Sequence, residues 1–332
     1  MKRLLRIILV LAVVLGLIYL LGPHPKRPVY DVRLPALQEE GVALDSLVRA
    51  EESRHPVKPD NQARVVWADS MPARTPYAVV YLHGFSASQE EGDPVHQQFA
   101  QRYGMNLYLS RLEAHGLDTV EAMINLTADG YWESAKKALA IGHQLGQKVI
   151  LMATSTGGTQ ALQLAATYPD LVSALILLSP NIEINDPNAH LLNNPWGLQL
   201  ARLVKGGDYI VTADQRDIYK RYWYTQYRLE ATVALQEMLE TTMLPETFAR
   251  VKQPVLLLYY FKDETHQDPV VRVSAMQRMF DQLGTPTASK RKVAIPGAGD
   301  HVIGSYIKSA DLPAVESAVD AFAREILGLR PR

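Results

Sequence analysis

The sequence contains no cysteine among its 332 residues. Disulfide bonds, metal sites built on thiolates and cysteine nucleophiles are therefore excluded. An excess of one charge is also missing, because 34 Lys and Arg face 35 Asp and Glu. A net charge of −1 gives no sign of nucleic-acid binding. Internal repeats, an H-E-x-x-H metal motif, a P-loop and a G-x-G-x-x-G after a strand are absent as well.

One long hydrophobic run is present, at the N-terminus. The apolar stretch 7–22, extended by Leu4 and Leu5, approaches the ~20 residues that cross a bilayer. No polar residue interrupts it, as a buried soluble helix with an outer face would require. The basic residues in front of it predict a cytoplasmic N-terminus and a body on the extracytoplasmic (periplasmic) side.

A cleaved signal peptide, which would release a secreted protein, is the alternative interpretation of this run. No A-x-A site follows it, and Pro23 and Pro25 crowd the place where cleavage would fall. We therefore predict that residues 1–22 are an uncleaved anchor. Residues 23–61 are predicted to be a connector with a helix near 37–54.

A single serine, Ser155, stands between an apolar run at Val149–Met152 and a helical pattern that begins at Gly157. The run predicts a strand buried on both faces. Ala153 and Gly157 flank the serine two residues away on each side, and small residues there permit a sharp strand-to-helix turn. A plain N-cap serine is the alternative. The pentad A-T-S-T-G resembles the nucleophile elbow of the α/β-hydrolases, usually G-x-S-x-G.

Strand and helix patterns alternate from about residue 77 to 180, which predicts a mostly parallel sheet with right-handed crossovers. Ser155 would lie at the carboxyl edge of that sheet, where open α/β folds bind ligands. The strand at 77–82 ends in His83-Gly84-Phe85, which resembles the H-G-x of the same family. The resemblance implies an oxyanion hole formed by the N–H groups of Phe85 and Thr156.

The alternation stops between Asn181 and Val251. About seventy residues are too many for a loop in a compact domain, and helical patterns recur at 196–203, 213–224 and 228–242. Inserted at the catalytic edge, residues 181–251 would form a helical lid, or cap, ahead of the strand that precedes the acid. Aromatic residues crowd 219–227, either to line an acyl pocket or, as we favour, to pack the cap onto the body.

The family resemblance implies a catalytic acid after the strand at 254–260. Asp263 lies at the usual distance from that strand, whereas Asp268 lies immediately ahead of the next helix. We favour Asp268 and keep Asp263 as the alternative acid, with the interval 264–267 as a local insertion. His301 lies in a glycine-rich loop after the last strand, where this family keeps its base.

The order Ser155, Asp268, His301 is the chain order of the α/β-hydrolases. The resemblance covers residues 62–330 and is to serine hydrolases such as monoglyceride lipases and carboxylesterases. It implies hydrolysis of carboxylic esters, with a small-molecule or lipid-like substrate, no cofactor and no metal. Thioesterase, peptidase or acyltransferase chemistry on the same triad remains open, as does a non-catalytic membrane-tethered binding module.

Overall fold

A computed structural model describes residues 2–332 of the chain, which form eleven α-helices and eleven β-strands over that range. The helices are α1 (Lys2–Leu20), α2 (Gly41–Glu52), α3 (Val95–Arg102), α4 (Ala128–Leu145), α5 (Thr156–Thr167), α6 (Gly197–Lys205), α7 (Asp217–Tyr222), α8 (Leu229–Thr242), α9 (Pro245–Arg250), α10 (Val273–Gln282) and α11 (Leu312–Glu325). The strands are β1 (Arg64–Val66), β2 (Thr75–Leu82), β3 (Asn106–Leu109), β4 (Gly146–Thr154), β5 (Ala174–Leu178), β6 (Tyr209–Val211), β7 (Gln226–Arg228), β8 (Val255–Tyr259), β9 (Phe261–Asp263), β10 (His266–Gln267) and β11 (Lys290–Ala294).

Seven strands form the central sheet, in the order β1-β3-β2-β4-β5-β8-β11. All neighbours in it pair in parallel except β1, which runs antiparallel to β3 at one edge. The predicted mostly parallel sheet is therefore confirmed. Because its strands are parallel, the loops that follow β2, β4, β8 and β11 all meet at the same carboxyl edge.

The elbow strand β4 lies at the centre of this sheet and is buried on both faces. Val149 and Leu151 belong to one hydrophobic core, while Ile150 and Met152 belong to the core on the opposite face. Successive side chains of a strand point to opposite faces, so an uninterrupted apolar run is what a two-sided core requires. The strand that leads to Ser155 is thus fixed from both sides.

The N-terminal helix α1 packs on almost nothing, and none of its side chains is buried. It is long and apolar enough to be a membrane anchor or a signal sequence. The connector that follows it is not a free linker. Asp129 on α4 accepts hydrogen bonds from the Val29 and Tyr30 amides, and the Trp132 indole N–H donates to Asp31 O at 2.8 Å.

The segment 181–251 contains helices, as the sequence predicts, but also a small antiparallel hairpin. Strands β6 and β7 pair in it, and the helix predicted over 213–224 is confined to α7. Residues 209–211 are β-branched or aromatic, which favours a strand over a helix. A further short helix, α9, follows α8 and packs against α5 and α10.

Candidate active site

Ser155 occupies a strained turn between β4 and α5. Its backbone has φ 52° and ψ −120°, a left-handed region that non-glycine residues rarely adopt and that clusters at functional sites. The turn is held by three hydrogen bonds: the Ser155 amide donates to Leu178 O at 3.0 Å, and the Gly158 and Asn181 amides donate to Ser155 O at 2.8 Å each.

Small residues around Ser155 are required by close backbone contacts. A Cβ on Gly157 would lie 2.0 Å from Leu82 O, and a Cβ on Gly158 would lie 2.6 Å from Pro180 Cβ. Helix α5 therefore passes directly against the end of β2 only because glycine follows the serine. This contact brings the turn after β2 beside Ser155, and it explains the spacing of the elbow pentad.

His301 and Asp268 form a buried pair at the same edge of the sheet. His301 Nδ1 lies 2.6 Å from Asp268 Oδ2, and the side chains are 8% and 0% exposed. The second oxygen, Asp268 Oδ1, accepts hydrogen bonds from the Val270 and Val271 amides at 2.8 and 3.0 Å. Those bonds fix the carboxylate, which in turn orients the imidazole so that Nε2 is the nitrogen left free.

Asp263, the alternative acid, lies elsewhere. Strands β9 and β10 form a hairpin over residues 261–267, and Asp263 lies at its exposed tip. Its carboxylate accepts hydrogen bonds from the Thr265 hydroxyl and the His266 backbone, and these bonds hold the pKa of Asp263 below its usual range. The structure therefore places Asp263 in a turn and pairs His301 with Asp268.

The pKa of His301 is raised above its ordinary value. Burial alone would lower it, because a charged imidazolium loses its hydration there. The negative charge of Asp268 and its hydrogen bond, together with Glu91 and Asp300, outweigh burial. His301 is thus a stronger base than a free histidine, and its neutral form, which can accept a proton, prevails only above the raised pKa.

Two other buried histidines hold the loop after β2 in place. The Leu112 amide donates to His83 Nε2 and the Ser86 amide donates to His115 Nε2, at 3.0 Å in both cases. Burial lowers the pKa of His83 to about 4 and places that of His115 well below its usual range. Both rings are therefore neutral and act as structural supports.

Phe85 and Thr156, the residues of the predicted oxyanion hole, lie close to each other. Phe85 and Thr156 line the same small cavity of about 10 Å³, and within residues 2–332 neither amide N–H donates a hydrogen bond. Thr156 is the first residue of α5, whose initial N–H groups have no intrahelical partner. Two unpaired donors beside a serine at a helix N-terminus can stabilise an anion there.

The site is covered by the cap segment. Tyr222 and Trp223 pack with Ala87, Val302 and Ile307, which flank the oxyanion loop and the His301 loop. Ser155 and His301 are only 5% and 6% exposed. Ser155 Oγ makes no hydrogen bond within the described residues 2–332. Catalytic contacts commonly tighten only in the substrate complex.

The sequence reasoning missed one acidic residue at this site, Glu91. Its side chain is 2% exposed, and its carboxylate accepts the Gly84 amide N–H. A Cβ on Gly84 would lie 2.8 Å from either Glu91 oxygen and 2.9 Å from Ser155 Cβ, so the carboxyl group and Ser155 lie on either side of Gly84. Burial raises the pKa of Glu91 to about 7. The sequence signal is an acidic pair, Glu90-Glu91, soon after the H-G turn.

One protein-family model matches most of the chain. The model of the Hydrolase_4 family, described as serine aminopeptidase, S33, matches residues 75–299. The chain belongs to the Hydrolase_4 family. The match spans the sheet from β2 to β11 and includes Ser155, Glu91 and Asp268. This Hydrolase_4 chain is therefore an enzyme of the α/β-hydrolase class. No curated protein matches the sequence.

Solved structures show the same fold at low sequence identity. A structure described with "LipS and LipT, two metagenome-derived lipolytic enzymes" aligns with TM-score 0.65 and 18% identity over 81% of this chain and 99% of that one. Est1E from Butyrivibrio proteoclasticus with bound ferulic acid gives 0.56 and 18%, over 80% and 95%. The monoacylglycerol lipase of Paleococcus ferrophilus gives 0.54 and 14%, over 78% and 98%. At these identities the likeness establishes the α/β-hydrolase fold of this Hydrolase_4 member.

Proposed function

We propose that this Hydrolase_4 protein cleaves carboxylic esters with a triad of Ser155, His301 and Asp268. The observation that carries the proposal is the buried 2.6 Å contact of His301 Nδ1 with Asp268 Oδ2, at the sheet edge where Ser155 occupies its strained turn. A carboxylate that orients a histidine near a serine is the arrangement that acyl transfer needs.

The reaction follows from these positions. His301 Nε2 takes the proton of Ser155 Oγ while Oγ bonds to the ester carbonyl carbon, and Asp268 stabilises the imidazolium that forms. The tetrahedral intermediate collapses, the bond to the alcohol oxygen breaks, and His301 gives its proton to the leaving alcohol. Water then repeats the sequence on the acyl-enzyme, releases the acid and restores Ser155.

The negative oxygen of the intermediate would bind the Phe85 and Thr156 amides. Among residues 2–332 neither amide has another acceptor, which supports this role, since a pre-oriented donor needs no reorganisation when charge develops. In known enzymes the loss of one such donor costs on the order of 3 kcal/mol of transition-state stabilisation. His83 and His115 would contribute by holding the Phe85 loop in position.

The surroundings of the serine favour an apolar acyl group. The cavity that Phe85 and Thr156 share has a mostly apolar remaining lining, made of Leu126, Thr127, Ala128, Tyr131, Ala234, Leu235 and Met238. At about 10 Å³ it has room for about one water molecule, so an acyl chain requires the cap to move. We propose that the segment 219–227 shifts to admit substrate, and that the substrate is a small or lipid-like ester.

We further propose that α1 anchors the enzyme in a membrane with its catalytic domain on the extracytoplasmic side. The exposed apolar surface of α1 and the basic residues at 2, 3 and 6 support this orientation. Retention of the anchor is favoured by contacts of the connector with α4, because residues directly after the helix are built into the folded body.

Labelling with a fluorophosphonate probe tests the nucleophile. We expect the wild-type protein to be labelled and Ser155→Ala to be unlabelled. Ser179→Ala is the matched control, because Ser179 follows the neighbouring strand β5 and its hydroxyl has no hydrogen-bond partner among the described residues 2–332. Labelling of Ser155→Ala at the wild-type level would falsify the assignment.

The substrate class is tested with two matched series of chromogenic compounds. p-Nitrophenyl esters of rising acyl length should be hydrolysed, with a preference that reports the size of the acyl pocket. The corresponding p-nitroanilides should react far more slowly if the enzyme is an esterase. Faster turnover of the anilides would point to a peptidase on the same residues.

A further inference from the structure

Helix α6, in the cap segment, carries an apolar face that the rest of the protein leaves uncovered. Trp196, Leu200, Leu203 and Val204 are 36%, 51%, 79% and 81% exposed. The spacing of Leu200, Leu203 and Val204 places these three side chains on one side of the helix, and Trp196 is the N-cap residue at its start. Single exposed apolar residues are normal on a protein surface, whereas a contiguous stripe marks an interaction site. The opposite side of α6 packs on α8.

This stripe begins where the N-terminal helix ends. The Trp196 indole N–H donates to Ile18 O at 2.9 Å, and the Trp196 amide donates to Pro23 O at 2.9 Å. Ile18 lies in the last turn of α1, whose carbonyl groups have no intrahelical partner. A Cβ on Gly22 would lie 2.2 Å from Trp196 Nε1, so the contact is close. The start of α6 therefore lies in contact with the end of α1.

The connector fixes the body relative to α1. After Pro23 the chain runs along α6, where Pro23 and Pro25 line a cavity with Leu198 and Gln199. It then bonds to α4 through Val29 and its neighbours. A chain tied down this soon after a membrane helix cannot let the domain turn freely, so the α6 stripe stays on the side of the molecule from which α1 emerges.

The charges around the stripe fit a phospholipid surface. Lys205 ends α6 and pairs with no acidic side chain within residues 2–332, and Lys26 and Arg27 in the connector are exposed. Apolar residues beside free basic groups are the pattern of helices that lie in the interface of a bilayer with anionic lipids. Tryptophan is enriched at that depth.

We propose that the α6 face is a second membrane contact, inserted into the lipid headgroup region of the bilayer that α1 spans. This proposal rests on the membrane attachment proposed above. It places the cap, rather than the opposite edge of the sheet, against the lipid. Because α6 leads through β6 to α7, the segment that covers Ser155 then lies next to the lipid phase, from which an apolar ester can enter.

Single-cysteine labelling of the full-length protein tests the contact, since the native chain has no cysteine. Val204→Cys is labelled with the fluorophore NBD and reconstituted in vesicles of phosphatidylcholine and phosphatidylglycerol. The matched control is Met71→Cys, because Met71 is 79% exposed and precedes β2 at the amino edge of the sheet. Leu9→Cys, in the middle of α1, reports separately whether the anchor is inserted.

The label at residue 204 should show blue-shifted emission and lose most of its intensity when lipids with a headgroup-region nitroxide are included. The label at residue 71 should show neither effect. Emission at 204 that matches 71 would overturn the proposal, as would a blue shift without nitroxide quenching, which would indicate a second copy of the chain on this face. A blue shift at residue 9 with neither a blue shift nor quenching at 204 would leave the anchor intact and refute the α6 contact alone.

Discussion

Replacing Glu91 with glutamine is expected to stabilise the folded protein at neutral and alkaline pH and to have little effect under acidic conditions. Glu91 is buried beside Ser155, its carboxyl group accepts the Gly84 amide N–H, and the Trp223 side chain lies next to it. Glutamine keeps the size and an acceptor oxygen at this position, but it cannot ionise. The substitution therefore isolates the free-energy cost of the buried charge.

The size of the effect follows from the pKa of Glu91. Burial raises it to about 7, whereas the ordinary value is 4.5. Between these two values the folded state binds more protons than the unfolded chain, so the free energy of unfolding falls as the pH rises. Each pH unit corresponds to about 1.4 kcal/mol, which gives a loss of ~3 kcal/mol once the pH exceeds the folded value. The free energy of unfolding of Glu91→Gln should not fall in this way, because glutamine does not ionise.

Urea unfolding followed by circular dichroism measures the difference at about pH 5 and about pH 8.5, on either side of the titration. The gap in free energy of unfolding between Glu91→Gln and wild type should open by ~3 kcal/mol between these conditions. Glu264→Gln makes the same chemical change at an exposed carboxyl and should leave the pH dependence as it is. A gap that does not change with pH would refute the argument that Glu91 is buried and ionised in the native site.

Other predictions concern the triad and the anchor. Asp268→Asn should lower turnover by about four orders of magnitude, as the loss of an orienting carboxylate does in a known triad, whereas Asp263→Asn should stay near wild type; the reverse result in ester assays would assign the acid to Asp263. Because Glu91 helps to raise the pKa of His301, Glu91→Gln should move the acidic limb of the kcat/KM profile to lower pH, and an unmoved limb would separate the two groups electrostatically. Deletion of residues 1–22 should shift the protein from the membrane pellet to the soluble fraction, and a full-length protein that is already soluble and shortened would show cleavage instead.

The elbow and the sheet could be predicted because their signals are local. Val149 to Met152 form an apolar run without a polar break, and small residues flank Ser155 within a few positions. The contacts that require those small residues, such as Leu82 O against Gly157, then follow from the geometry of a parallel sheet. Short-range sequence patterns suffice where the physical cause is also short-range.

Which aspartate pairs with His301 could not be decided in this way, because the pairing depends on contacts across the fold. Asp263 and Asp268 both follow β8, and only the β9–β10 hairpin places one at an exposed tip and the other under the His301 loop. The two strands of that hairpin, FKD and HQ, are of mixed polarity. They are too short to produce a clear alternation of polar and apolar residues. His301 lies 33 residues beyond Asp268, so no spacing rule joins them.

The burial of Glu91 could not be predicted from the sequence either, because its residue type alone suggests an exposed environment. An acidic pair in a loop is usually a solvated surface, because a buried carboxylate is costly unless it is paired. Here the turn after β2, the elbow and Trp223 enclose the carboxyl group, and three segments that are distant in sequence together produce its burial. The buried carboxyl group lies where its charge helps to raise the pKa of His301, and perturbed pKa values of this kind are typical of functional sites.

The contact between α1 and the cap also joins two segments that are distant in the sequence. Ile18 and Trp196 are separated by 178 positions. The sequence patterns predict an anchor around Ile18 and a lid around Trp196, with nothing to link the two. Their hydrogen bond makes the two segments a single unit, because a motion of the cap at its Trp196 end has to break or carry that bond. We therefore expect motion of the proposed cap to be coupled to α1, and Trp196→Phe, which removes the indole N–H but keeps an aromatic ring, should loosen the cap. Faster labelling of Ser155 by the fluorophosphonate in this variant would demonstrate the coupling, and an unchanged labelling rate would show that the cap opens independently of the anchor.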